Sequence, residues 1–424
     1  MNPTCPTSLF RPAFITILAV TAVVSSLGPV RAQSTAGTIC PAQLGGAIDR
    51  AIARVPGAKW SVLVQTQGAT GARSNVYRRN FSTLLVPASN NKILTTAAAL
   101  KKLGAQHRIT TPVFGNSAGP DLATLRVIGQ GDPSLKTAQL NALAQQLRQR
   151  GIRQTNLLIG DDTVFQGEPY NPFWSNRHRG LGYAPPVNSL MLNENIIYNG
   201  AVPNAGNYFV GEFRKALTKA GIKIAASTLV KRTPAPAGEV ALASVTSPPL
   251  SSLIFETNQA SNNVYAETLL KTLGRLQNPN SLDTNTSGVA TVKSILTEMG
   301  VNPNRYTMVD GSGLADRNLA SAEAFVQTLQ AIALMPEAQI YRRSLPVAGV
   351  SGTLSNRFRN TPAQGIVAAK TGTISGVVSL SGYVSPRNYS PLVFSVLVNS
   401  GASASTVRSA VDEAVISMAR LRKC

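Results

Sequence analysis

The sequence predicts a mixed α/β (α+β) fold: an antiparallel sheet covered by helices from both ends of the chain, interrupted by a small inserted domain or domains. Turn residues separate three strand-like runs near the C-terminus, at 365–373, 377–384 and 391–398, as in an antiparallel meander. Amphipathic helices are expected at 41–55 and from about residue 405 onward. Both helices can cover one face of that sheet, which would bring the chain ends together.

The first part of the chain alternates helical and strand patterns. After the helix at 41–55, a strand is expected at 60–65, and a second strand follows a turn between residues 67 and 79. Apolar residues then recur at helical spacing from residue 93 to 103, and Gly104 ends this run as a C-cap would.

Between residues 105 and 244 the pattern changes to short apolar runs broken by Gly, Pro and Asn. The runs at 122–128, 138–150 and 156–160 predict a strand, a helix and a strand, as expected for a small α/β insert. Gly129-Gln-Gly131-Asp132-Pro133 begins like a phosphate-binding loop but lacks the third glycine, so no dinucleotide site is expected.

The second half of the chain starts near Val245. A helix is predicted at 264–273 with Gly274 at its end, and another at about 321–334. Asp310-Gly-Ser-Gly-Leu314 indicates a tight turn before the second of these helices.

Residues 1–32 predict an export signal that is removed from the mature protein. Arg11 precedes an apolar run that is short for a membrane span, and Val30-Arg31-Ala32 matches a small-x-small cleavage site. An uncleaved anchor is the alternative. Export to the periplasm or cell envelope would leave Cys40 and Cys424 in the mature chain. In an oxidising compartment these cysteines either pair, if the termini meet, or stay two unrelated thiols.

The formal net charge of +21 is spread along the chain rather than gathered in a basic tail or a helix stripe. Without a nucleic-acid-binding motif, this distribution argues against a nucleic-acid partner. An anionic wall polymer or a membrane surface suits an exported basic protein better, and a solvated surface without a partner is the alternative. The sequence has two histidines and no metal-ligand cluster, so neither a metal or other cofactor nor a Ser-His-Asp triad is expected.

A nucleophile is indicated at Ser89, in the segment Ser89-Asn-Asn-Lys92 that opens the helix at 93–103. Residues at i and i+3 share a helix face, so the two side chains can meet. A desolvated lysine can take the proton of a serine hydroxyl and activate it. The helix N-terminus also favours developing negative charge. The alternative is an N-cap serine followed by a surface lysine.

Two downstream motifs favour the catalytic interpretation. Ser261-Asn262-Asn263 opens a predicted helix, and Lys370-Thr371-Gly372-Thr373 lies on the first strand of the C-terminal meander. An exposed strand with a small glycine lets a peptide-like ligand pair with its backbone. The set S-x-x-K, S-x-N and K-T-G closely matches that of penicillin-binding proteins and class A β-lactamases, which have S-D-N as the middle motif.

On these motifs the chain resembles the D-alanyl-D-alanine carboxypeptidase/endopeptidase family of low-molecular-mass, class C penicillin-binding proteins. The resemblance covers nearly the whole mature chain. It extends to Gly129-Gln-Gly131-Asp132-Pro133, Tyr183-Ala-Pro-Pro-Val-Asn-Ser-Leu190, Asp310-Gly-Ser-Gly-Leu314, and Leu345-Pro-Val-Ala-Gly349 followed by Gly352-Thr353-Leu354.

The resemblance implies a serine β-lactamase/transpeptidase-like catalytic domain formed by 33–104 and 245–424, with an inserted accessory domain or domains at 105–244. Class A β-lactamases keep the interval between Lys92 and Ser261 much shorter. Neither Glu168 nor Glu194 lies in the sequence context of their deacylating glutamate.

The resemblance also implies the catalytic roles. Ser89 attacks the carbonyl between two D-alanines and forms an acyl-enzyme, with Lys92 as proton acceptor. Ser261 relays the proton to the leaving amine, while Asn263 holds the substrate's backbone amide.

The remaining implied roles concern substrate binding. Lys370, Thr371 and Thr373 recognise the terminal carboxylate, and the small Gly372 leaves room for the ligand beside the same strand. Backbone N–H groups of Ser89 and Thr373 form the oxyanion hole, typically worth about 3 kcal/mol per donor.

Peptidoglycan stem peptides are the implied substrates, and β-lactams are implied as covalent inhibitors. The family has an acidic residue shortly before the Tyr183 motif that holds the amine of a diamino acid. This chain is basic there, at 173–180, so neither recognition of that amine nor cleavage of cross-links follows from the resemblance. Two alternatives remain: a β-lactamase or D-amino-acid esterase on the same scaffold, and a non-catalytic wall-binding protein.

Overall fold

Two five-stranded sheets organise the chain, and helices pack against each of them. The structure is a computed structural model that describes residues 37–68, 72–230 and 238–424. The predicted export signal at 1–32 lies outside the described residues. In the part of the chain that is described, no helix combines the length and apolarity needed to cross a bilayer.

The element boundaries within those residues are as follows. The helices are Pro41–Ala53 (α1), Asn91–Leu103 (α2), Thr137–Gln149 (α3), Ala205–Lys219 (α4), Leu250–Gln259 (α5), Asn263–Gln277 (α6), Thr284–Glu298 (α7), Ala322–Ala333 (α8), Ala338–Ser344 (α9) and Ala404–Ala419 (α10). The strands are Lys59–Thr66 (β1), Asn75–Arg79 (β2), Thr110–Gly115 (β3), Asp121–Ile128 (β4), Gln154–Asp161 (β5), Ile196–Ile197 (β6), Gly200–Ala201 (β7), Lys223–Val230 (β8), Val240–Thr246 (β9), Tyr306–Thr307 (β10), Leu319–Ala320 (β11), Val367–Ile374 (β12), Val377–Val384 (β13) and Leu392–Asn399 (β14).

The first sheet is antiparallel and has the strand order β12-β13-β14-β1-β2. Helices cover both of its faces, and successive side chains of a strand point to opposite faces, so one strand can contribute to two buried clusters. On β1, Val62 and Val64 pack in the cluster formed with α1 and α10, whereas Leu63 packs in the cluster formed with α2 and α5 to α8. The predicted meander and its two covering helices are therefore confirmed.

Helix α2 is buried nearly all round. Every residue from Asn91 to Leu100 is buried, and Gly104 ends the helix with φ 77°. The predicted C-cap is therefore confirmed, since a positive φ favours glycine. Ser89 itself lies just before α2, in a 3₁₀ turn over Ala88–Asn90.

The prediction that Gly274 ends a helix is wrong, since α6 continues to Gln277. Gly274 instead allows a close approach between helices. A Cβ placed there would lie 2.3 Å from the Thr284 carbonyl oxygen, and one placed on Gly288 of α7 would lie 2.3 Å from the Leu270 carbonyl oxygen. The two glycines thus let the backbones of α6 and α7 touch.

The second sheet has the strand order β8-β5-β4-β3-β9. The pairs β4–β5 and β5–β8 are parallel and the other pairs are antiparallel. The predicted strand, helix and strand correspond to β4, α3 and β5. All five strands of this sheet lie between residues 110 and 246, yet residues 38–424 form one compact unit. The division into catalytic and inserted domains stays a prediction.

The chain ends meet beside α1 and α10. Backbone N–H groups of Ile39 and Arg422 bond to the carbonyls of Arg420 and Ile39, and the structure joins Cys40 to Cys424 by a disulfide with a Cα separation of 5.7 Å. The disulfide closes a loop with a sequence separation of 384 residues. Cross-linking a long loop lowers the entropy of the unfolded chain, which stabilises the folded state.

We expect the double variant Cys40→Ser/Cys424→Ser to lose about 2–4 kcal/mol of unfolding free energy relative to the oxidised protein. Thermal unfolding of oxidised, reduced and double-variant protein measures this difference, and reduction should lower the melting temperature of the unsubstituted protein to that of the variant. Equal melting temperatures in all three samples would show that the bond does not form.

Candidate active site

Ser89 lies at a strained point of the backbone, directly before the buried helix α2. The residue that precedes it, Ala88, has φ 48°, a region that non-glycine residues rarely adopt. Such strain persists only where the surroundings enforce it, and it clusters at functional sites. Ser89 is partly accessible, whereas Ala88 and Asn90 are buried.

The ammonium group of Lys92 lies next to the Ser89 hydroxyl, at 3.0 Å between Nζ and Oγ. Lys92 Nζ also donates to Asn263 Oδ1 (2.6 Å) and to the Ser312 carbonyl (2.8 Å). Its side chain is 0% exposed. Lys92 is therefore not a surface lysine, and the N-cap position of α2 is occupied by Asn90 rather than Ser89.

Burial sets the charge state of Lys92. Removal from water disfavours the ammonium form and lowers the pKa of Lys92 to about 7, although the carboxylates of Asp310 and Glu267 act in the opposite direction. A substantial fraction of the lysine is then neutral near neutral pH. A neutral amine at 3.0 Å from a hydroxyl can accept its proton.

Ser261 and Asn263 stand at the start of α6 and face the same site. Asn262 caps the helix by accepting the Tyr265 N–H, and Ser261 has φ 58°, a second strained position. Asn263 bonds to Lys92 through Oδ1, and its Nδ2 donates to the Tyr183 carbonyl at 2.8 Å. Asn263 thereby links Lys92 on α2 to the loop between β5 and β6.

Lys370 approaches from β12 and joins the same cluster. Its Nζ donates to Ser261 Oγ at 2.8 Å and to the Thr371 carbonyl at 2.9 Å. Burial, and next the charge of Lys92, hold the pKa of Lys370 well below its ordinary value. The carboxylate of an incoming ligand would raise the pKa of Lys370 and stabilise its charged form.

Gly372 lets β12 pass directly beside the Ser89 turn. A Cβ at this position would lie 2.2 Å from Ser379 Oγ and 2.6 Å from the Pro87 carbonyl oxygen. Ser379 Oγ donates to that same carbonyl at 2.7 Å. The K-T-G glycine is thus required by packing against the residues that hold Ser89.

The strand β12 forms one edge of the first sheet, so part of its backbone faces away from β13. The Ala369 N–H points outward and bonds to the Pro346 carbonyl. Because strand residues alternate, the N–H groups of Thr371 and Thr373 point to that same outer side. This edge can pair with an extended peptide, and it carries the N–H predicted for the oxyanion hole.

The predicted catalytic residues and Lys370 thus lie in one cluster, with β12 beside it. Lys92 touches Ser89 and Asn263, Lys370 touches Ser261, and Gly372 lets β12 pass beside the Ser89 turn. Cys40 and Cys424 are bonded to each other, away from this cluster of contacts.

Four residues that contact the site or the turn beneath it were assigned no role in it from the sequence. Thr353 Oγ1 lies 2.7 Å from Thr371 Oγ1, and Glu194 accepts hydrogen bonds from Asn262 (2.7 Å) and Lys136 (2.7 Å). The others are Tyr183, through its carbonyl, and the buried Glu267. The family motifs at 183–190 and 352–354 marked two of these four, but no short pattern marks Glu194 or Glu267.

A basic and aromatic segment borders the site next to Asn263. Tyr183 is exposed, and its hydroxyl lies 2.8 Å from His178 Nδ1. Nearby, the Arg317 guanidinium stacks over the Phe173 ring at 5.0 Å. Burial, and next the charge of Arg177, lower the pKa of His178, whereas the charge of Asp316 raises it.

Comparison with known proteins finds a matching family model and similar relatives. The family model described as "D-Ala-D-Ala carboxypeptidase 3 (S13) family" matches residues 44–210 and 199–418. The chain is 30% identical to a D-alanyl-D-alanine carboxypeptidase of Actinomadura sp. (strain R39), an alignment covering 85% of this chain and 81% of that protein. It is 31% identical to the carboxypeptidase DacB of Mycolicibacterium smegmatis, over 85% and 79% of the two chains.

Solved structures with a similar fold include penicillin binding protein 4 of Haemophilus influenzae. The TM-score is 0.80 at 21% identity, covering 88% of this chain and 99% of that one. The same protein has been solved in complex with a β-lactam, with a TM-score of 0.71 at 22% identity over 87% and 98% of the two chains. These similarities confirm the fold class predicted from the sequence.

Proposed function

Because the chain belongs to the D-Ala-D-Ala carboxypeptidase 3 (S13) family of serine peptidases, we propose that its DD-peptidase activity proceeds through an acyl-enzyme on Ser89. The observation that carries this proposal is the contact of 3.0 Å between Ser89 Oγ and the buried Lys92 Nζ. A serine that shares a hydrogen bond with a desolvated amine is an activated nucleophile.

Acylation uses Lys92 in its neutral form. As Ser89 Oγ bonds to the carbonyl carbon between the two D-alanines, Lys92 Nζ takes the hydroxyl proton. The negative charge that develops on the carbonyl oxygen is stabilised by the N–H groups of Ser89 and Thr373. The C–N bond then breaks, and Lys92 returns the proton to the leaving amine through the hydroxyl of Ser261, which also accepts a hydrogen bond from Lys370 Nζ.

Substrate orientation comes from β12 and α6. An extended peptide pairs with the outer edge of β12, while Asn263 holds its backbone amide. Lys370, assisted by the hydroxyls of Thr371 and Thr373, binds the terminal carboxylate. The negative carboxylate stabilises the ammonium form of Lys370, which burial disfavours. Water then hydrolyses the ester and releases the shortened stem peptide.

Two finer properties belong to the same proposal. β-Lactams carry a carboxylate and a strained amide, so they enter the site as peptide analogues and acylate Ser89; the Haemophilus protein of this fold has been solved with one. The protein acts outside the cytoplasmic membrane, in the periplasm or cell envelope, where its polymeric substrate is located. Its net charge of +21 favours a loose association with anionic wall polymer or membrane surface.

Incubating the protein with defined muropeptides tests the proposed reaction. Monomeric pentapeptides should release D-alanine, measured by mass spectrometry of the products, and cross-linked dimers reveal any endopeptidase activity in the same assay. Unchanged pentapeptide after prolonged incubation, with the fold intact by circular dichroism, would contradict the proposal. Retention of peptidoglycan without turnover would favour a non-catalytic wall-binding protein.

The basic residues near Tyr183 (Arg177 and Arg317) lead to a prediction about the third residue of the stem peptide. Arg177 and Arg317 repel a free side-chain amine rather than pair with it, and an exposed charge pair is worth about 0.2–1 kcal/mol. We therefore expect a pentapeptide with free lysine at that residue to have a kcat/KM no higher than its Nε-acetylated counterpart.

Steady-state kinetics with the two peptides make this comparison. The charge-reversing variant Arg177→Glu should raise kcat/KM for the free-amine peptide relative to the acetylated one, up to about fivefold. A several-fold preference of the unsubstituted protein for the free amine would contradict this interpretation of the segment.

A further inference from the structure

A buried carboxylate that the reaction does not use lies beneath the site. Glu267 is on α6, one turn after Asn263, and its residue exposure is 2%. One carboxylate oxygen accepts the Ser312 N–H at 2.7 Å, and the other accepts the Gly311 N–H at 3.1 Å. A buried carboxylate that binds two successive backbone amides fixes the orientation of that segment.

The segment that Glu267 holds reaches the reacting groups directly. The carbonyl of Ser312 accepts a hydrogen bond of 2.8 Å from Lys92 Nζ. The next residue, Gly313, has φ 81°, and a Cβ there would lie 1.9 Å from the Ala88 carbonyl oxygen. The Gly311–Gly313 backbone is thus packed between Glu267 on one side and the Ser89 turn with Lys92 on the other.

The far end of this segment is fixed independently of Glu267. Asp310 accepts the N–H groups of Gly313 and Ala315, and it also accepts bonds from the side chains of Trp174 and Asn318. Asp310 therefore fixes the conformation of the whole turn. Glu267 fixes the orientation of the Gly311 and Ser312 peptide units, next to the Ser312 carbonyl that Lys92 contacts.

The charges around Glu267 give it an electrostatic effect as well. The groups that face it are Lys92 from α2, Asp310 from the turn and Lys271 one turn further along α6. Burial, and next the charge of Asp310, raise the pKa of Glu267, whereas its hydrogen bonds from Ser312 and Gly311 act in the opposite direction. The carboxylate of Glu267 in turn opposes the lowering of the Lys92 pKa. Lys370, a further buried lysine, has the positive Lys92 as its main charged neighbour.

We propose that Glu267 is a positioning residue for the Lys92 base: by holding Gly311 and Ser312, it directs the Ser312 carbonyl that fixes Lys92 Nζ toward Ser89. This role rests on the function proposed for Ser89 and Lys92. A neutral glutamine cannot accept from both backbone amides, because its NH₂ group is itself a donor and would face one of them. Loss of the carboxylate would therefore misplace Lys92 and remove a negative charge beside it.

The test is the pH profile of acylation by a chromogenic β-lactam, measured for the unsubstituted protein, Glu267→Gln and Glu267→Asp. We expect Glu267→Gln to acylate about 10- to 100-fold more slowly at pH 8. We also expect its acid limb to move to lower pH by about one unit, because Lys92 loses a stabilising negative charge. Glu267→Asp keeps the charge but not the reach, so its rate should fall while its acid limb stays in place.

A matched control is Asp162→Asn. Asp162 is a buried carboxylate that likewise accepts two successive backbone amides, those of Ser189 and Leu190, at 2.8 and 3.0 Å. It does not contact the Gly311–Gly313 segment, so Asp162→Asn should lower thermal stability without moving the acid limb.

Two outcomes overturn the proposal. One is a folded Glu267→Gln protein with an unchanged rate and acid limb. The other is a slower rate with an acid limb in the original place, which would show a structural role alone. If Glu267→Gln does not fold, Glu267→Asp decides: acylation as fast as in the unsubstituted protein overturns the proposal. Absence of acylation in the unsubstituted protein would instead contradict the proposed function.

Discussion

Replacing Ser89 by alanine is expected to abolish D-alanine release from pentapeptide substrates, with a loss in kcat of about 10⁶-fold. The expected size follows from the removal of a nucleophile in other serine peptidases, where the remaining groups do not compensate for it. Ser89 is partly accessible, and its removal leaves the hydrogen bonds of Lys92 to Asn263 and Ser312 in place. The fold should therefore be retained.

Turnover of the pentapeptide by Ser89→Ala and the unsubstituted protein measures this effect, with circular dichroism to check the fold. Ser294→Ala, which changes an exposed serine on α7, is the matched control and should keep full activity. Turnover by folded Ser89→Ala at a rate comparable with the control would show that another group performs the reaction.

Replacing Lys92 by methionine is the second large effect that we expect. Methionine fills much of the same volume without an amine, so the proton of Ser89 has no acceptor, and general base catalysis is worth about 10²–10⁴-fold. In the unsubstituted protein, Lys92 must be neutral to act, so kcat/KM should rise with pH and level off above the Lys92 pKa of about 7. Lys92→Met should lack this acid limb.

The matched control for a buried lysine is Lys271→Met. Lys271 is also buried, and burial also lowers its pKa, but its Nζ donates to the Glu168 carbonyl and not to a site residue. We expect Lys271→Met to lose stability and to keep acylation with an acid limb. Equal activity of Lys92→Met and Lys271→Met would exclude Lys92 as the base.

Local patterns predicted the parts of the fold with clear apolar runs or a clear apolar period. The strands of the meander β12–β14 are apolar runs separated by turn residues, whereas the helices α1, α2 and α10 repeat apolar residues at helical spacing. The β-strands at the rim of the second sheet were not predicted, because β8 and β9 are mostly exposed and have weak alternation. The prediction that α6 ends at Gly274 is wrong because a glycine inside a helix can also allow close contact with a neighbouring helix.

Some residues of the candidate site could likewise be predicted from the sequence, and others could not. Ser89 and Lys92 are close in sequence, so helical spacing alone predicts their contact, whereas Ser261 and Lys370 were associated with them only through the family motif set. Glu267 and Glu194 have no such pattern. Their contacts depend on how α6, the turn at 310–314 and the second sheet pack in three dimensions, which the spacing of residues does not encode.

The most direct test of the central claim is to locate the covalent bond formed with penicillin. The protein is incubated with benzylpenicillin at pH 8, digested, and its peptides are mapped by tandem mass spectrometry. We predict a single long-lived penicilloyl adduct on Ser89, absent from Ser89→Ala. An adduct on any other residue, or rapid hydrolysis of penicillin without a trapped ester, would contradict the account.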